Sequence, residues 1–375
     1  MKICLVGHSA AGLLAASANG SERQTALLAR ELAARGHDVS LVVTGLPGEG
    51  RIVDGVRVLP AWDPRLGTRF LRALTYRYPR LYRVLRAEHA DVYYSRGAGF
   101  YTPFVVRAAR DEGAKSVLAL ASDRDLYSSS RSALFAVGGS RFSPLVAWLA
   151  HVAYRHWALP AATCVAVQNR EQAEACDALH LHNATLSNIV VSPVAELTEA
   201  EPQRDALWAG NVHDGRRSKG LDKLAELALL LPHVSFTVAG TVGGESHRET
   251  IDLLHRLPNV HLTGQLAHAE TERAIAGHRL VINTSPSEGF SNVMLEGWAL
   301  GRPCVTLAVN PSGLLSGDRL GVCAGGDIES MAAAIVSLLA EPEVCAAMGE
   351  RGREYARETH APERVCEAFE KLVTS

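Results

Sequence analysis

Residues 285–305 read Ser285-Pro-Ser-Glu288-Gly289-Phe290-Ser291-Asn292-Val293-Met294-Leu295-Glu296-Gly-Trp-Ala-Leu-Gly301-Arg302-Pro303-Cys-Val305. Two carboxylates stand eight positions apart, Glu288 and Glu296, and the chain changes character between them. The apolar run Arg279 to Thr284 before them predicts a buried strand. Ser285, Pro286 and Gly289 predict a loop. Val293 to Leu300 predicts a helix, stopped by Gly301 and Pro303. Glu288 would then sit on the loop at a strand's carboxyl end, and Glu296 inside the next helix. Open α/β sheets bind ligands at that place, and a helix start leaves backbone N–H groups aimed at an anion.

Working outward, the same alternation recurs along the chain. Lys2–Val6, Asp38–Thr44, Val56–Leu59, Asp91–Tyr94, Ser116–Ala121 and Cys164–Val167 predict strands in the first half. Ser21–Arg35 predicts a helix, with Leu27, Leu28, Leu32 and Ala33 on one face, Ser21 as a good cap and Gly36 as its stop. Ala206–Trp208, Val234–Ala239, Val260–Thr263, Leu280–Asn283, Cys304–Leu307 and Gly321–Cys323 predict strands in the second half. Strands alternating with helices imply parallel sheets covered on both faces. A chain of 375 residues has room for two such domains.

Glu288-Gly289-Phe290-x-Asn292-Val293-x-Leu295-Glu296, followed by Gly301-Arg302-Pro303-x-Val305, resembles the signature of the family 4 retaining glycosyltransferases. The resemblance covers essentially the whole chain. It is strongest in the second half and loosest between about Leu59 and Val190. It implies the GT-B fold: α/β, two Rossmann-like domains with parallel sheets facing across a cleft. The expected division is 1–195 for the acceptor-side domain and 196–358 for the nucleotide-sugar domain. Residues 359–375 would form a terminal helix that packs back on the first domain. The implied activity is that of a retaining, hexosyltransferase-like enzyme. It would move a sugar from a nucleotide-sugar donor to a saccharide, lipid-linked or small-molecule acceptor, as in polysaccharide or glycoconjugate biosynthesis. No metal is implied, and no cofactor beyond the nucleotide-diphosphate sugar that serves as co-substrate.

The resemblance also carries site residues. Trp208 to Asp222 is similar to the family's Gly-Arg … Lys-Gly motif, in which an Arg and a Lys hold the donor diphosphate. Lys219-Gly220 matches position by position. Asn211 stands where the family has its Arg, and the loop is about three residues longer, so Arg216 or Arg217 would have to supply the guanidinium. The chemistry asks for such cations, because negative charge builds on the leaving phosphate. Lys219 and Glu288 are the candidate catalytic residues. In the family, Glu288 would face the transferred sugar and Glu296 would grip the ribose hydroxyls, a task that suits a carboxylate accepting two hydrogen bonds. Gly289, Phe290, Ser291 and Asn292 would offer backbone N–H groups to sugar and phosphate. Gly240 and Gly264, at two strand ends, would wall the nucleobase pocket, although Gly240 reads equally as a turn glycine. Gly20, in Asn19-Gly20-Ser21-Glu22-Arg23, resembles part of the family's Gly-Gly-x-Glu-Arg loop and would border sugar and acceptor.

Two family histidines are missing: Asp91 to Arg96 has none where the family carries Asp-x-x-His, and Ser122-Asp123 stands where it carries His-Asp. A catalytically silent sugar-nucleotide-binding subunit and a sugar-nucleotide epimerase of similar fold are the alternatives. Asp123-Arg124-Asp125 has the spacing of a metal-binding Asp-x-Asp, but it lies in the half without the donor signature. His180 and His182 lack further ligands. Gly7 to Gly12 lacks Gly-x-Gly-x-x-Gly spacing, which disfavours a nicotinamide dehydrogenase.

Composition adds bounds. Seven scattered cysteines with no Cys-x-x-Cys predict reduced core thiols in a cytoplasmic protein. Met1 to Gly7 is too short for a signal h-region, and Pro144 to Tyr154 falls short of the roughly 20 residues of a spanning helix. The net charge of −2 divides unevenly: residues 1–195 hold 22 Lys+Arg against 15 Asp+Glu, the remainder 16 against 25. Arg65, Arg69, Arg72, Arg77, Arg80, Arg83 and Arg86 cluster with no acid among them, interleaved with Leu and aromatic residues, and Pro79 is expected to divide the run into two short helices. Two readings stand: peripheral contact with an anionic membrane at its inner face, or a stripe packed on the first sheet with arginines in water. No nucleic-acid partner is expected.

Overall fold

The computed structural model describes the chain except residues 11, 14–18, 45–48, 64, 68–72, 128–147, 149–150, 192–194, 199–200, 214–218 and 375. It forms two compact units, Met1–Ile189 with Pro362–Ser375, and Val190–Ala361. The join expected at 195/196 falls inside the second unit, because the Val190 N–H already donates to the His360 carbonyl at 3.0 Å.

The first unit is built on strands β1 (Lys2–Gly7), β2 (Asp38–Val43), β3 (Arg51–Val53), β4 (Val56–Pro60), β5 (Val92–Arg96), β6 (Lys115–Ala119), β7 (Cys164–Val167) and β8 (Asn183–Thr185). They lie in the order β3-β4-β2-β1-β5-β6-β7-β8. Every pairing is parallel except β3 with β4. That hairpin turns on Asp54 and Gly55, both left-handed at φ 49° and 78°. Asp-Gly between apolar residues is a strong hairpin signal, and the sequence reading passed over it, along with the short β8.

Helices α1 (Gly20–Ala34), α2 (Tyr78–Glu88), α3 (Thr102–Glu112) and α4 (Arg170–Ala178) belong to this unit. The cap of α1 is Asn19, not Ser21: its side chain accepts from the Glu22 N–H, and the Glu22 carboxylate accepts from the Asn19 N–H. This reciprocal box satisfies two of the helix's orphan donors, which a Ser21 cap would leave inside the first turn. Pro79 does not divide the basic run. A π-helical turn, Ala73–Arg77, passes straight into α2, with Pro79 in its first turn. A missing N–H costs nothing there, because the first N–H groups of a helix have no intrahelical partner. Leu81 and Leu85 of α2 are fully buried among Cys4, Val6 and Tyr93 of the sheet.

The terminal helix, Pro362–Thr374, packs on α1 and the first sheet through Val365, Phe369 and Val373. Its Glu370 accepts two bonds from the Arg35 guanidinium, at 2.9 and 2.8 Å, and lies 2.9 Å from His37 Nε2.

The second unit has strands β9 (Arg204–Ala209), β10 (Phe236–Ala239), β11 (Val260–Gly264), β12 (His278–Asn283), β13 (Cys304–Thr306) and β14 (Gly321–Cys323). They are all parallel, in the order β11-β10-β9-β12-β13-β14. Its longer helices are α5 (Leu221–Leu230), α6 (Arg248–Arg256), α7 (His268–Ala276), α8 (Asn292–Ala299), α9 (Ile328–Ala340) and α10 (Pro342–His360). One face of the sheet is covered by α5, α6 and α9 around Trp208, Phe236 and Ile282; the other by α8 around Met294, Leu295 and Trp298. Both faces are therefore buried, as a parallel sheet requires.

All seven cysteines are free thiols, and all but Cys323 are buried. Burial pushes Cys4 up to about 12 and Cys164 up to about 11, so they are poor nucleophiles. Among the described residues no single helix is long and apolar enough to cross a membrane.

Candidate active site

In the second unit the strand order reverses between β9 and β12. The chain leaves β9 toward β10 on one side and leaves β12 toward β13 on the other. The crossovers diverge and leave a crevice at the carboxyl ends of these two strands. Lys219 follows β9 and Glu288 follows β12, so topology alone brings them together. They line one pocket there with Trp208, Asn283, Ser285 and Ser291.

Lys219 Nζ lies 3.4 Å from Glu288 Oε1. The same oxygen accepts from Ser285 Oγ at 2.7 Å and from Asn283 Nδ2 at 3.4 Å. Asn283 Oδ1 in turn accepts from the Ser285 N–H at 2.8 Å, which fixes the turn that carries Glu288. The lysine is the more exposed partner, 39% against 18%, and so the freer to move toward a ligand.

The strand-loop-helix unit reads as the sequence implied, with α8 beginning at Asn292. Ser291 is its cap residue but makes no side-chain cap bond. Gly289 and Phe290 are buried, and the Phe290 ring packs on Trp298 and His360 at centroid distances of 6.1 and 5.0 Å. Phe290 therefore contributes a ring to the core and only its backbone to the loop. Glu296 sits half-buried in the second turn of α8, and Gly301, left-handed at φ 69°, ends the helix. Arg302 of the Gly-Arg-Pro segment donates to the Ala276 carbonyl at 2.8 Å. It holds the end of α7 and has a structural task.

Asn211, where the resemblance places an Arg, turns away from the pocket: its Oδ1 accepts from the Thr241 N–H at 2.9 Å. Arg216 and Arg217 lie outside the described residues. Gly240 has a packing reason to be glycine. Its φ is 121°, and a Cβ there would stand 2.2 Å from the Gly210 carbonyl oxygen. Gly264, at φ 71°, has open space where a Cβ would be. Gly20 opens α1 in the first unit and is exposed.

The Asp-x-Asp segment is used internally. The Asp125 carboxylate accepts from the N–H groups of Ala121, Ser122 and Ala98, at 2.7, 3.1 and 3.2 Å. Burial pushes its pKa up while these three bonds pull it down. Asp123 accepts from Gln172 Nε2 at 2.9 Å. In the other segment without a family histidine, Asp91 to Arg96, the Arg96 guanidinium donates to Asn188 Oδ1 at 2.6 Å.

The sequence reading missed Trp208 and Thr284. The indole N–H of Trp208 donates to Thr284 Oγ1 at 2.9 Å, and that hydroxyl donates to the Lys219 carbonyl at 3.1 Å. Only the position of both residues at predicted strand ends hinted at this.

Two parallel-sheet α/β units, the second with a lysine and a glutamate converging at its switch point, define the GT-B class of sugar-transferring proteins. Family models agree along most of the chain: a "glycosyl transferase 4-like domain" matches residues 19–194 and "glycosyl transferases group 1" matches residues 203–341. The chain belongs to this glycosyltransferase family, and membership of family 4 is consistent with both matches.

It is 28% identical over 130 residues to N-acetyl-alpha-D-glucosaminyl L-malate synthase of Bacillus anthracis, covering 33% of this chain and 34% of that protein. It is 29% identical over 164 residues to the lipopolysaccharide core biosynthesis glycosyltransferase LpsE of Rhizobium meliloti (strain 1021), covering 42% and 46%. The matched stretch thus spans less than half the length of either relative. Among solved structures it is similar to sucrose-phosphate synthase from Thermosynechococcus elongatus, with a TM-score of 0.74, 17% identity, and 99% and 98% of the two chains covered. At that identity the likeness speaks for the fold.

Proposed function

We propose that this chain transfers a sugar from a nucleoside-diphosphate sugar to a saccharide-bearing acceptor, with retention at the anomeric carbon and without a metal. The observation that carries the reading is the convergence of Lys219 and Glu288 beside the start of α8. A basic group and a helix N-terminus favour a diphosphate. A carboxylate ringed by donors suits the hydroxyls of a sugar.

In this reading the bond from the anomeric carbon to the leaving phosphate oxygen breaks, and its electron pair stays on the phosphate. Lys219 and the N–H groups at the start of α8 stabilise that charge as it forms. The acceptor hydroxyl oxygen bonds to the same face of the carbon, and its proton passes to the leaving phosphate. No protein base is then required, which suits a chain that has no histidine in Asp91 to Arg96 and has Ser122 where the family's His-Asp places its histidine. Glu288 orients the transferred sugar, and Glu296 holds the ribose of the donor.

The relatives named for lipopolysaccharide core and glucosaminyl malate synthesis support a glycoconjugate or small-molecule acceptor. A lipid-linked acceptor fits the exposed Arg80 and Arg83 of α2. The test is a thermal-shift screen of nucleotide sugars of each base, because a ligand that binds the native state raises its stability. Turnover follows, with the anomeric configuration of product read by NMR. Retention with chelator present supports the reading, and an inverted product refutes the retaining mechanism. Donor binding with neither transfer nor hydrolysis would make the chain a binding subunit. No stabilising donor would remove the proposal.

A further inference from the structure

Lys219 stands in an unusual backbone conformation. Its φ is 49° and that of Gly220 is 68°, two left-handed residues in succession just before α5. Glycine adopts this region readily; a lysine is disfavoured there because its Cβ crowds the next carbonyl. Such strain persists only where the surroundings over-determine it.

Three contacts do so. The Thr284 hydroxyl, fully buried, donates to the Lys219 carbonyl at 3.1 Å. The hydroxyl has one proton to give, and the buried Trp208 indole N–H occupies its acceptor side at 2.9 Å. That directs the proton to Lys219. Gly220 is pressed against the same residue, since a Cβ on it would lie 2.0 Å from the Thr284 carbonyl oxygen. The lysine stem runs over Gly210, where a Cβ would lie 2.9 Å from both Lys219 Cδ and the Trp208 ring. Trp208 and Thr284 thus hold the backbone and bracket the stem, and the Lys219 ammonium emerges 3.4 Å from Glu288.

We propose that Thr284, backed by the Trp208 indole, is a positioning residue for Lys219. Its hydroxyl holds the strained turn that sends the ammonium into the pocket instead of into solvent. The assignment rests on the proposed role of Lys219 at the donor diphosphate, but its geometry can be read without that role.

Two measurements separate the inference from the function it serves. The first needs no substrate: carbodiimide coupling of the Lys219 amine to the Glu288 carboxylate, read as cross-linked peptide by mass spectrometry. Thr284→Val keeps the side chain's shape and removes the hydroxyl, and should lower the yield several-fold. Thr284→Ser should restore it. An unchanged yield in Thr284→Val overturns the proposal, whatever the protein does with nucleotides.

The second measurement is affinity for uridine, adenosine and guanosine diphosphates by calorimetry, made with Lys219 present and in Lys219→Ala. With the lysine present, Thr284→Val should weaken binding about tenfold. In Lys219→Ala the same change should cost nothing more, because interacting sites are not additive. An equal loss in both backgrounds marks general damage and overturns the proposal. A native chain that binds none of the diphosphates refutes the function instead, and the cross-link then decides the positioning. Should Thr284→Val not fold, Trp208→Phe removes the indole donor and takes its place in both measurements.

Discussion

Gly220 and Thr284 are in van der Waals contact, so close that a single methyl group between them would lie 2.0 Å from the Thr284 carbonyl oxygen. This contact docks the start of α5 onto the end of β12. It brings a residue that follows β9 against one that follows β12, and the two halves of the pocket meet through it. Gly220→Ala adds both that clash and a left-handed alanine at φ 68°. It should destabilise the second unit by about 1–3 kcal/mol. Denaturant unfolding checks it; a midpoint equal to the native chain's would mean the contact is loose.

Lys219→Ala should lower turnover on the order of a hundredfold, as loss of one donor to a developing oxyanion does elsewhere. Chelator should leave the native rate unchanged. The carboxylates of Asp123 and Asp125 already accept from Gln172 and from three backbone N–H groups. Activity lost to chelator and regained with Mg²⁺ or Mn²⁺ would assign the charge to a metal and remove it from Lys219.

Glu296→Ala should weaken donor binding and leave the fold intact. The carboxylate is half-buried on α8, and a charged hydrogen-bond partner is worth about 1.5–3 kcal/mol, roughly tenfold or more in affinity. Calorimetry with the donor found by screening decides it. Equal affinities would take Glu296 out of the ribose site.

The strand-loop-helix stretch of the second unit was legible because its signals are local. A buried strand, a Pro/Gly loop and a helix stop placed Glu288 and Glu296 within one stretch of chain, and Lys219-Gly220 announced the helix that follows β9. What escaped was non-local or a choice between local options. Trp208 and Thr284 are 76 positions apart, and their bond exists only because β9 and β12 are neighbours. Asn19 and Ser21 both have capping chemistry, and the pairing with Glu22 decided between them. Pro79 breaks a helix only from its interior, and it stands instead at a helix start. The β3–β4 hairpin has a local signal in Asp54-Gly55, but β3 is only three residues long and is the one antiparallel strand in a sheet whose alternating pattern implies parallel pairing.

Acid should loosen the terminal helix through Glu370. The Arg35 guanidinium, and then His37, hold its carboxyl at about 2, down from 4.5. A depressed carboxyl stabilises the folded state above its unfolded pKa, and the contribution is lost as pH falls through the folded one. The native chain should therefore exceed Glu370→Gln in stability above about pH 4.5, with the gap closing as pH falls toward 2. Urea unfolding of both chains across this range tests it. A gap that does not change with pH would mean that the carboxylate's charge contributes nothing to docking.

The basic run should bind anionic membranes by charge alone. Leu81 and Leu85, the apolar stripe of α2, are spent on the first sheet. Arg86 is committed to Glu112, and Arg77 lies over the Trp62 ring at 5.7 Å. Arg80 and Arg83 remain exposed on the outer face. With the α2 stripe buried, attraction to an anionic surface rests on charge and is screened by salt, with a Debye length of about 8 Å at physiological ionic strength. Each basic residue near such a surface contributes about 1 kcal/mol. Co-sedimentation with phosphatidylserine-containing vesicles at low salt should therefore weaken several-fold in the Arg80→Glu/Arg83→Glu chain and vanish for both chains at high salt. Neutral vesicles should bind neither. Binding that survives high salt would point to an apolar insertion that α2 does not offer. No binding at low salt would leave a soluble acceptor as the better reading.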